Sequence, residues 1–287
     1  MDGIGVVDSI WEGYATDQIV RLNAASGGII TGSLIALLES SHIDGAVVNV
    51  ADLTFPPRGK SILAKTREEI MQSAKSIYCQ TEINRGLSIA KSDSTVKSIA
   101  VVGLPCQITR LKGIMKHHEW MQEKIVVTFG VMCGHNMYPS ATIKALAVSG
   151  INIEDVAKVS YRGRGWYPFY YIVEMKDGST KEFLWPGSPL QAIWNSLDYQ
   201  SSDCQTCPDF TAEDADIACC DAWLEKHRGT QEGYSMVLTH TETGTAVIEH
   251  LIKIDALTLK SSSVEDLYST NYMQIDRKLK IKKEQRK

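Results

Sequence analysis

The sequence predicts a mixed α/β (α+β) fold, with parallel strand-helix units in the N-terminal half and a β-rich C-terminal half. Between residues 44 and 132, continuous apolar runs are separated by segments of helical spacing, as in a parallel sheet that is covered on both faces. After about residue 150 the texture changes, and Asp177-Gly178 joins two β-rich segments in a typical hairpin turn. The 287 residues suffice for one large domain or two modest ones.

The first predicted elements follow a run of small residues. Residues 29–40 have helical spacing and are entered through the segment Ala24–Gly28. The segment DGAVVNV, residues 44–50, predicts a buried strand. Thr66 and Glu69 have the capping-box spacing that begins another helix.

Two further apolar runs, residues 98–104 and 124–132, predict strands, and residues 107–116 between them have helical spacing. Cys106 follows the first of these strands and Cys133 follows the second. Parallel strands leave a sheet at the same carboxyl edge, where open α/β sheets bind their ligands. We therefore expect the two cysteines to lie close together.

The C-terminal half predicts an antiparallel sheet followed by a loop-rich stretch, a final strand and a final helix. The last segment, from Arg277 to Lys287, carries seven basic residues and one acidic residue, which is typical of a solvated helix end or a disordered arm. The predicted strands span residues 156–163, 168–175, 179–185 and 234–240. The loop-rich stretch spans residues 200–233, and the predicted helix spans residues 245–254.

Composition excludes several classes of protein. The net charge of −4 gives no reason to expect nucleic-acid binding, and 44% hydrophobic residues argue against disorder. The N-terminus lacks a basic segment and a long apolar run, so no signal peptide is expected, and the longest apolar runs are about half of a membrane span. Seven cysteines, an odd number, exclude a fully paired disulfide framework. A cytoplasmic location is expected, with the thiols reduced unless a metal binds them.

The pair Cys204 and Cys207, followed by Pro208, presents two sulfur atoms to one metal or one redox exchange. The chain contains no second C-x-x-C pair, but Cys106 and Cys133 can complete a set of four. From spacing alone, a 4Fe-4S cluster, a structural zinc ion and unliganded cysteines all stay open.

The other cysteines have simpler interpretations. Cys79 is expected to be a small buried residue of the core. The adjacent residues Cys219 and Cys220 are also more typical of a core than of a ligand set, although their position near the C-x-x-C pair leaves a redox or spare-ligand role open.

Two loops are candidates for binding an organic cofactor. The segment Ala24–Gly28 either brings a phosphate to a helix N-terminus or lets a helix pack closely. Arg162 and Arg164 lie among aromatic residues on a glycine-containing segment, which suits a flavin or nucleotide contact or else a solvated hairpin edge. Neither G-x-G-x-x-G nor a P-loop sequence occurs, and no Ser-His-Asp or paired-carboxylate arrangement stands out.

Taken in order, these motifs form one pattern that covers nearly the whole chain. Its segments are AASGGIITGSLIALLESSHIDGAVV, VVGLPCQITRLKGI, GVMCGHN, YRGRGW and SDCQTCPDFTAEDADIACCDAW, followed by GYSMVLTHTETG. The pattern resembles the beta subunits of coenzyme F420-reducing hydrogenases and dehydrogenases, a family that includes formate dehydrogenase beta subunits and related flavoproteins.

The resemblance implies FAD and a 4Fe-4S cluster as cofactors, with coenzyme F420 as the substrate. It assigns the cluster to Cys106, Cys133, Cys204 and Cys207. It assigns the flavin loop to Ser26, Gly27, Gly28 and Thr31, with Gln107, Arg162 and Arg164 as weaker candidates. It implies no catalytic side chain, since the flavin converts between the hydride of the deazaflavin and the single electrons of the cluster.

The resemblance also implies three regions and a redox partner. Residues 1–95 would form an N-terminal domain with the flavin loop, residues 96–258 a C-terminal domain with the cluster cysteines, and residues 259–287 a basic tail. The partner would be a hydrogenase, formate dehydrogenase or similar subunit, or a ferredoxin, within a hetero-oligomer.

Two departures from the family pattern keep other functions open. The chain has no C-x-x-C-x-x-C run for a second cluster, which favours dependence on a partner, and Cys220 stands where relatives usually have glycine. The alternatives are a ferredoxin-linked flavin and iron-sulfur reductase of another substrate, and a zinc-binding structural module without flavin.

Overall fold

A mixed eight-stranded sheet forms the centre of the computed structural model, which describes residues 4–53 and 57–285. The strands are β1 Ser9–Ala15, β2 Gly45–Asp52, β3 Arg58–Ala64, β4 Ile99–Gly103, β5 Ile125–Val131, β6 Val156–Gly163, β7 Tyr170–Met175, β8 Thr180–Leu184, β9 Ile217–Asp221, β10 Ser235–Thr239 and β11 Leu257–Ser261. The large sheet has the order β11-β1-β10-β9-β5-β4-β2-β3, and β6-β7-β8 form a separate sheet.

The four central strands β9, β5, β4 and β2 are parallel, and the flanking strands are antiparallel to them or to one another. Successive side chains of each strand enter different hydrophobic clusters. Val47 and Val101 belong to the cluster on one face, whereas Ala46, Ala100 and Phe129 belong to the cluster on the other. Burial on both faces explains the continuous apolar runs of these strands.

Helices cover both faces of the large sheet. Residues of α4, α5 and α11 enter one cluster, and residues of α2, α3 and α10 enter the other. The helices are α1 Gln18–Asn23, α2 Ile29–Glu39, α3 Arg67–Gln72, α4 Asn84–Ser92, α5 Pro105–Met115, α6 Glu119–Lys124, α7 Pro139–Val148, α8 Pro189–Ser196, α9 Ser202–Thr206, α10 Glu242–Lys253 and α11 Val264–Gln285.

The predicted N-terminal units are confirmed. Helices α2, α3 and α5 and strands β2, β4 and β5 lie where the pattern places them, and β4 and β5 are parallel. Thr66 caps α3 by accepting a hydrogen bond from the Glu69 amide, as the capping-box spacing predicts. Glu69 in turn accepts from the Lys65 amide rather than from that of Thr66.

The antiparallel sheet β6-β7-β8 is also confirmed, with the turn at Asp177-Gly178 between β7 and β8. Its residues form a third hydrophobic cluster with α7 and α8, centred on Tyr161, Tyr171 and Leu190. Cys79 belongs to this cluster and is 1% exposed, so its predicted place in the core is confirmed.

Several elements contradict or extend the predictions. Strand β9 lies inside the stretch predicted to be loop-rich, and β11 and α11 follow the helix predicted to be the last. Strand β1, at one end of the chain, pairs with β10 and β11 from the other end. Strands β9 and β11 have only five residues each, and three of the five residues of β9 are alanine or cysteine, which have weak strand signals. The large sheet joins strands of both predicted domains, whose boundaries remain a prediction.

In the basic tail, residues 259–261 belong to β11 and residues 264–285 form α11, while Arg286 and Lys287 lie outside the described residues. It is not a wholly solvated end, because Lys278 is only 2% exposed and Ile275 packs in the core. In the described part of the chain, no helix has the length and apolar character needed to cross a membrane.

Candidate functional site

A cavity of about 400 Å³ lies at the carboxyl ends of the parallel strands, and we call it the larger cavity. Leu104 after β4, Met132 after β5 and Asp221 at the end of β9 all line it. Open α/β sheets bind ligands at this edge, and the volume falls within the usual range of ligand sites, about 300 to 1,000 Å³.

The small-residue loop before α2 forms one wall of the larger cavity. Ser26, Gly28 and Thr31 line it directly. Gly27 does not line it, but its amide donates to Ser235 Oγ at 2.9 Å, and a Cβ atom there would lie 2.4 Å from the Gly13 carbonyl oxygen. The loop is therefore compatible with both predictions, close packing and ligand binding, since Gly27 allows close packing and its neighbours face the cavity.

Helix α2 begins at this wall with its first amide groups uncapped by any side chain. Gly28 is the N-cap residue and has a φ of 76°, a conformation that glycine adopts without strain. Ile29 and Ile30 of the first turn also line the cavity. The uncapped amides and the helix dipole favour an anion at this point.

Arg162 lines the larger cavity, with 2% of its side chain exposed. Its Nη1 atom is 2.7 Å from an oxygen of Asp221, and its Nη2 atom donates to the Ala25 carbonyl at 2.6 Å. Its Nε atom is buried and has no hydrogen-bond partner among the described residues. The guanidinium also lies 4.4 Å from the centroid of the Phe169 ring. Arg162 thus fixes the Ala24–Gly28 loop to the end of β9.

The other two weaker candidates have different surroundings. Gln107 lines the larger cavity, where its Oε1 atom accepts from the Leu104 amide and its Nε2 atom donates to the Thr81 carbonyl. Arg164 does not line the cavity and forms an exposed ion pair with Glu182 at 2.7 Å. The structure therefore brings Gln107 and Arg162 to the site and places Arg164 on the hairpin surface.

Polar groups that the sequence analysis did not single out also face the larger cavity. His135 is 4% exposed, and neither of its ring nitrogens nor Asn49 Oδ1 has a hydrogen-bond partner among the described residues. Burial and the nearby charges of Arg277 and Lys278 lower the pKa of His135 to about 3. Its imidazole is neutral at physiological pH, and its ring centroid lies 3.7 Å from that of Trp194, with the two ring planes at 31°. The position of the GVMCGHN segment after β5 was the available signal for His135.

The remaining walls contribute a cation and aromatic rings. Lys75 lines the cavity in a left-handed conformation, with a φ of 81°, and burial lowers its pKa. Burial raises the pKa of Tyr78, which keeps its hydroxyl protonated. Trp223 lines the cavity and stacks on Trp166 at a centroid distance of 4.3 Å. These groups suit a ligand that has both an anionic and a planar aromatic part.

A second cavity of about 310 Å³, which we call the cysteine cavity, is lined by all four predicted ligand residues. Cys106 lies in the first turn of α5 and Cys133 two residues after β5, as the parallel strands predict. Cys204 lies in the short helix α9 and Cys207 directly after it. Residues that are distant in the sequence therefore meet at one site.

Backbone contacts hold the C-x-x-C segment against the strand ends. The Asn136 amide donates to Cys204 Sγ at 3.3 Å, and the Ser201 amide donates to the Asn136 carbonyl at 2.9 Å. The Cys133 amide donates to the Phe210 carbonyl at 3.0 Å. The segment is thus fixed on both sides of its cysteines.

Three of the four thiols lie in an environment that disfavours the bare thiolate. Burial raises the pKa values of Cys106, Cys133 and Cys204, and neighbouring cysteines of the set raise them further. Within residues 4–53 and 57–285, no three histidine, cysteine, aspartate or glutamate side chains are arranged to hold a metal ion. The thiols therefore line one cavity without surrounding a single point.

The two cavities share a wall. Five residues line both of them: Thr81, Leu104, Gln107, Cys133 and Asn136. The two cavities are therefore adjacent, an arrangement that suits short-range electron transfer between groups bound in them.

Cys219 and Cys220 lie on the central strand β9 and line the larger cavity. They belong to opposite faces of the sheet, since Cys219 packs in one hydrophobic cluster and Cys220 against the other. Burial raises the pKa of both thiols, and Asn271 Nδ2 donates to Cys220 Sγ at 3.3 Å. Neither thiol lines the cysteine cavity, so the structure does not place them among the four.

Comparison with solved structures supports the fold. A chain of the F420-reducing [NiFe] hydrogenase complex from Methanosarcina barkeri superposes with a TM-score of 0.73 at 20% identity. The match covers 98% of this chain and 93% of that chain.

Sequence comparison finds relatives of three kinds. The chain is 26% identical to coenzyme F420 hydrogenase subunit beta of Methanococcus voltae, covering 88% of this chain and 83% of that protein. It is 29% identical to the coenzyme F420-dependent sulfite reductase of Methanocaldococcus jannaschii, covering 82% of this chain but only 35% of the reductase. It is 24% identical to the F420-dependent formate dehydrogenase subunit beta of the same organism, covering 87% of this chain and 61% of that subunit.

Two family models match most of the chain. Residues 10–88 match the N-terminal part of the coenzyme F420 hydrogenase/dehydrogenase beta subunit, and residues 96–265 match its C terminus. The chain therefore belongs to the coenzyme F420 hydrogenase/dehydrogenase beta subunit family.

Proposed function

We propose that the protein is an oxidoreductase subunit that exchanges a hydride with coenzyme F420 and passes single electrons to or from a redox partner. FAD would lie in the larger cavity, and a 4Fe-4S cluster would be held by Cys106, Cys133, Cys204 and Cys207. The shared wall of the two cavities carries the proposal, because a hydride carrier and a one-electron carrier must be close to exchange electrons. The family and the names of the relatives support F420 as the substrate.

The residues that line the larger cavity suit FAD. The uncapped start of α2 and the Lys75 ammonium would bind its anionic phosphates, while Trp223 would contact a planar ring. His135 and Asn49 present buried polar atoms without partners among the described residues, and such atoms need hydrogen bonds from a ligand or from water. Arg162 would keep the loop in position through Asp221 and the Ala25 carbonyl.

The cysteine cavity fits a multi-iron cluster better than a zinc ion. Four ligands of one zinc ion converge on a single point at about 2.3 Å, and no such convergence occurs among the described residues. Each cysteine of a 4Fe-4S cluster binds a different iron atom, so its ligands lie farther apart around a larger guest. The lining of one cavity of about 310 Å³ by all four cysteines supports this assignment.

Bound flavin and cluster would supply the conversion between two-electron and one-electron transfer. The side chains orient the groups, exclude water and balance charge. The neutral His135 can donate or accept a hydrogen bond in the larger cavity without adding charge there. No side chain is proposed as an acid or base. The second participant would be a hydrogenase, formate dehydrogenase or similar subunit, or a ferredoxin, in a hetero-oligomer.

The test is anaerobic purification followed by metal and flavin analysis and a reduction assay. We expect one FAD and about four iron atoms per chain. Reduced coenzyme F420 is then expected to bleach the flavin absorption, whereas NADH, as the control donor, is expected to leave it unchanged.

The outcomes distinguish the three candidate functions that the sequence left open. A colourless protein with one zinc ion would contradict both cofactors and identify a structural module. A protein whose flavin is bleached by reduced ferredoxin but not by reduced coenzyme F420 would keep the cofactors and contradict the substrate.

A further inference from the structure

Helix α11 forms a wall of both cavities and lies almost wholly beyond the matched family region, which ends at residue 265. Its backbone departs from helical geometry at Asn271. Asn271 and Gln274 line the larger cavity, and Lys278 lines the cysteine cavity. The family pattern therefore says nothing about these residues, and their placement comes from the structure alone.

Lys278 is a buried cation without a counterion. Its side chain is 2% exposed, and no described residue forms a hydrogen bond or ion pair with its Nζ atom. The thiols of Cys133 and Cys204 lie within electrostatic range of its charge. Burying an unpaired ammonium is costly, so such a group is unusual unless an anion joins it.

The carboxylates around the cysteine cavity are already occupied by other donors. Glu82 accepts hydrogen bonds from the amides of Ser61 and Arg85. Asp203 pairs with Arg110, and Asp209 accepts from the amides of Ala212 and Glu213. None of these carboxylates forms an ion pair with Lys278, so an anionic occupant of the cavity would be its direct charge partner.

Neighbouring cations of α11 show the contrast. Lys282 forms an ion pair with Glu213 at 2.6 Å. Arg277 donates to the Gly134 carbonyl; it forms no ion pair with a described residue, and its charge also acts on the cysteines, but it does not line the cysteine cavity. Lys280 is exposed to solvent. Of these basic residues, Lys278 alone combines burial, the absence of a described partner and a position on the cysteine cavity.

We infer that Lys278 is the charge partner of the iron-sulfur cluster and raises its reduction potential. The inference rests on the proposed function, since it needs the cluster in the cysteine cavity. A cluster with four thiolate ligands is anionic, and one electron from the flavin or from the redox partner makes its charge more negative by one unit. A fixed positive charge stabilises the reduced form more than the oxidised form, and net charge is one of the factors that set cluster potentials.

The experiment measures iron content and then the midpoint potential of the cluster by anaerobic redox titration followed by electron paramagnetic resonance. It compares the unaltered protein with Lys278→Met, which keeps the length of the side chain without its charge, and with Lys278→Arg, which keeps the charge. Lys280→Met is the matched control, because it removes the same charge from an exposed position of the same helix.

With about four iron atoms in each protein, Lys278→Met is expected to lower the ratio of reduced to oxidised cluster at a given potential by about tenfold, or about 59 mV for one electron. Lys278→Arg and Lys280→Met are expected to stay near the unaltered value. A Lys278→Met protein with full iron content and an unaltered potential would overturn the inference.

Loss of iron from the variants also tests the inference. If Lys278→Met loses the cluster while Lys278→Arg keeps it, the charge is needed to hold the cluster and the inference stands. If both lose it, packing rather than charge explains Lys278 and the inference is overturned. Absence of iron from the unaltered protein would instead contradict the proposed function itself.

Discussion

Two regions of this protein bury a charge, and they differ in how that charge is balanced. Glu12 on β1 is fully buried, with Lys226 Nζ 2.6 Å and Lys260 Nζ 2.7 Å from its carboxylate oxygens. Lys278 on α11 is almost equally buried but has no ion pair among the described residues. In the first region, lysines of the same chain balance the buried charge, whereas the charge of the second region lines a cavity with four cysteines in its walls.

The comparison distinguishes structural charge from functional charge. Lys260 lies directly opposite Glu12 across the β1-β11 pair, so forming the sheet also forms the ion pair. Lys278 has no such local reason for its burial, and folding alone leaves its charge unbalanced. A buried charge that the fold does not satisfy indicates a site for a guest of opposite charge.

The largest difference expected between the two regions is in metal binding. Cys204→Ser should lose the iron of the proposed cluster, because serine is a poor ligand for it and Cys204 lines the cysteine cavity. Cys79→Ser is the control, because Cys79 is buried in the third hydrophobic cluster, and this variant should keep the full iron content. Iron analysis of the anaerobically purified proteins checks this prediction, and full iron in Cys204→Ser would show that the ligand set is wrong.

The next effect concerns the Glu12 region. Replacing Lys226 and Lys260 together with methionine leaves the Glu12 carboxylate buried without either lysine, which should reduce the free energy of unfolding by about 3 to 5 kcal/mol. Urea denaturation measures this change. Replacing the exposed residues Lys176 and Lys280 serves as the control and should change stability by no more than about 0.5 kcal/mol for each.

Removing the charge of Lys278 should change the free energy of unfolding in the opposite direction, towards greater stability. In protein freed of iron, Lys278→Met should raise the free energy of unfolding by up to about 1 kcal/mol, because it removes a charge that has no ion pair among the described residues and keeps the apolar contacts. Anaerobic urea denaturation of the iron-free proteins tests this. A loss of stability would mean that the folded protein already balances the charge of Lys278, and the contrast with Glu12 would fail.

The smallest effect is a pH dependence of the Glu12 region. Burial opposes ionisation of Glu12, but the ion pairs with Lys226 and Lys260 outweigh it, so the pKa of Glu12 is lowered in the folded protein. Its contribution is therefore complete above the ordinary glutamate pKa, about 4.3, and is lost as the pH falls through the lowered value. The stability difference between the unaltered protein and Glu12→Gln should shrink over this acidic range when measured by denaturation at several pH values. A constant difference would contradict the prediction.

The sequence predicted the parallel β4-α5-β5 unit and the approach of Cys106 to Cys133, because both depend on apolar runs and on punctuation that are local in the chain. It also predicted the antiparallel hairpin from Asp177-Gly178. It did not predict β9, since alanine and cysteine at its positions are selected by burial between β5 and β10. His135 was passed over because its importance comes from missing partners in three dimensions rather than from its neighbours in sequence.

By itself, the sequence determined the kind of fold, the family and the four cysteines that are proposed to bind a cluster, since these depend on residue type and spacing. Only the tertiary structure decided that Arg164 lies outside the larger cavity, that the two cavities share a wall, and that Lys278 faces the cysteines while Glu12 is paired. The physical reason is that burial and charge balance are properties of surroundings. Those surroundings are built here from strands and helices that lie more than a hundred residues apart, as when β1 pairs with β11 and α11 closes over the end of β5.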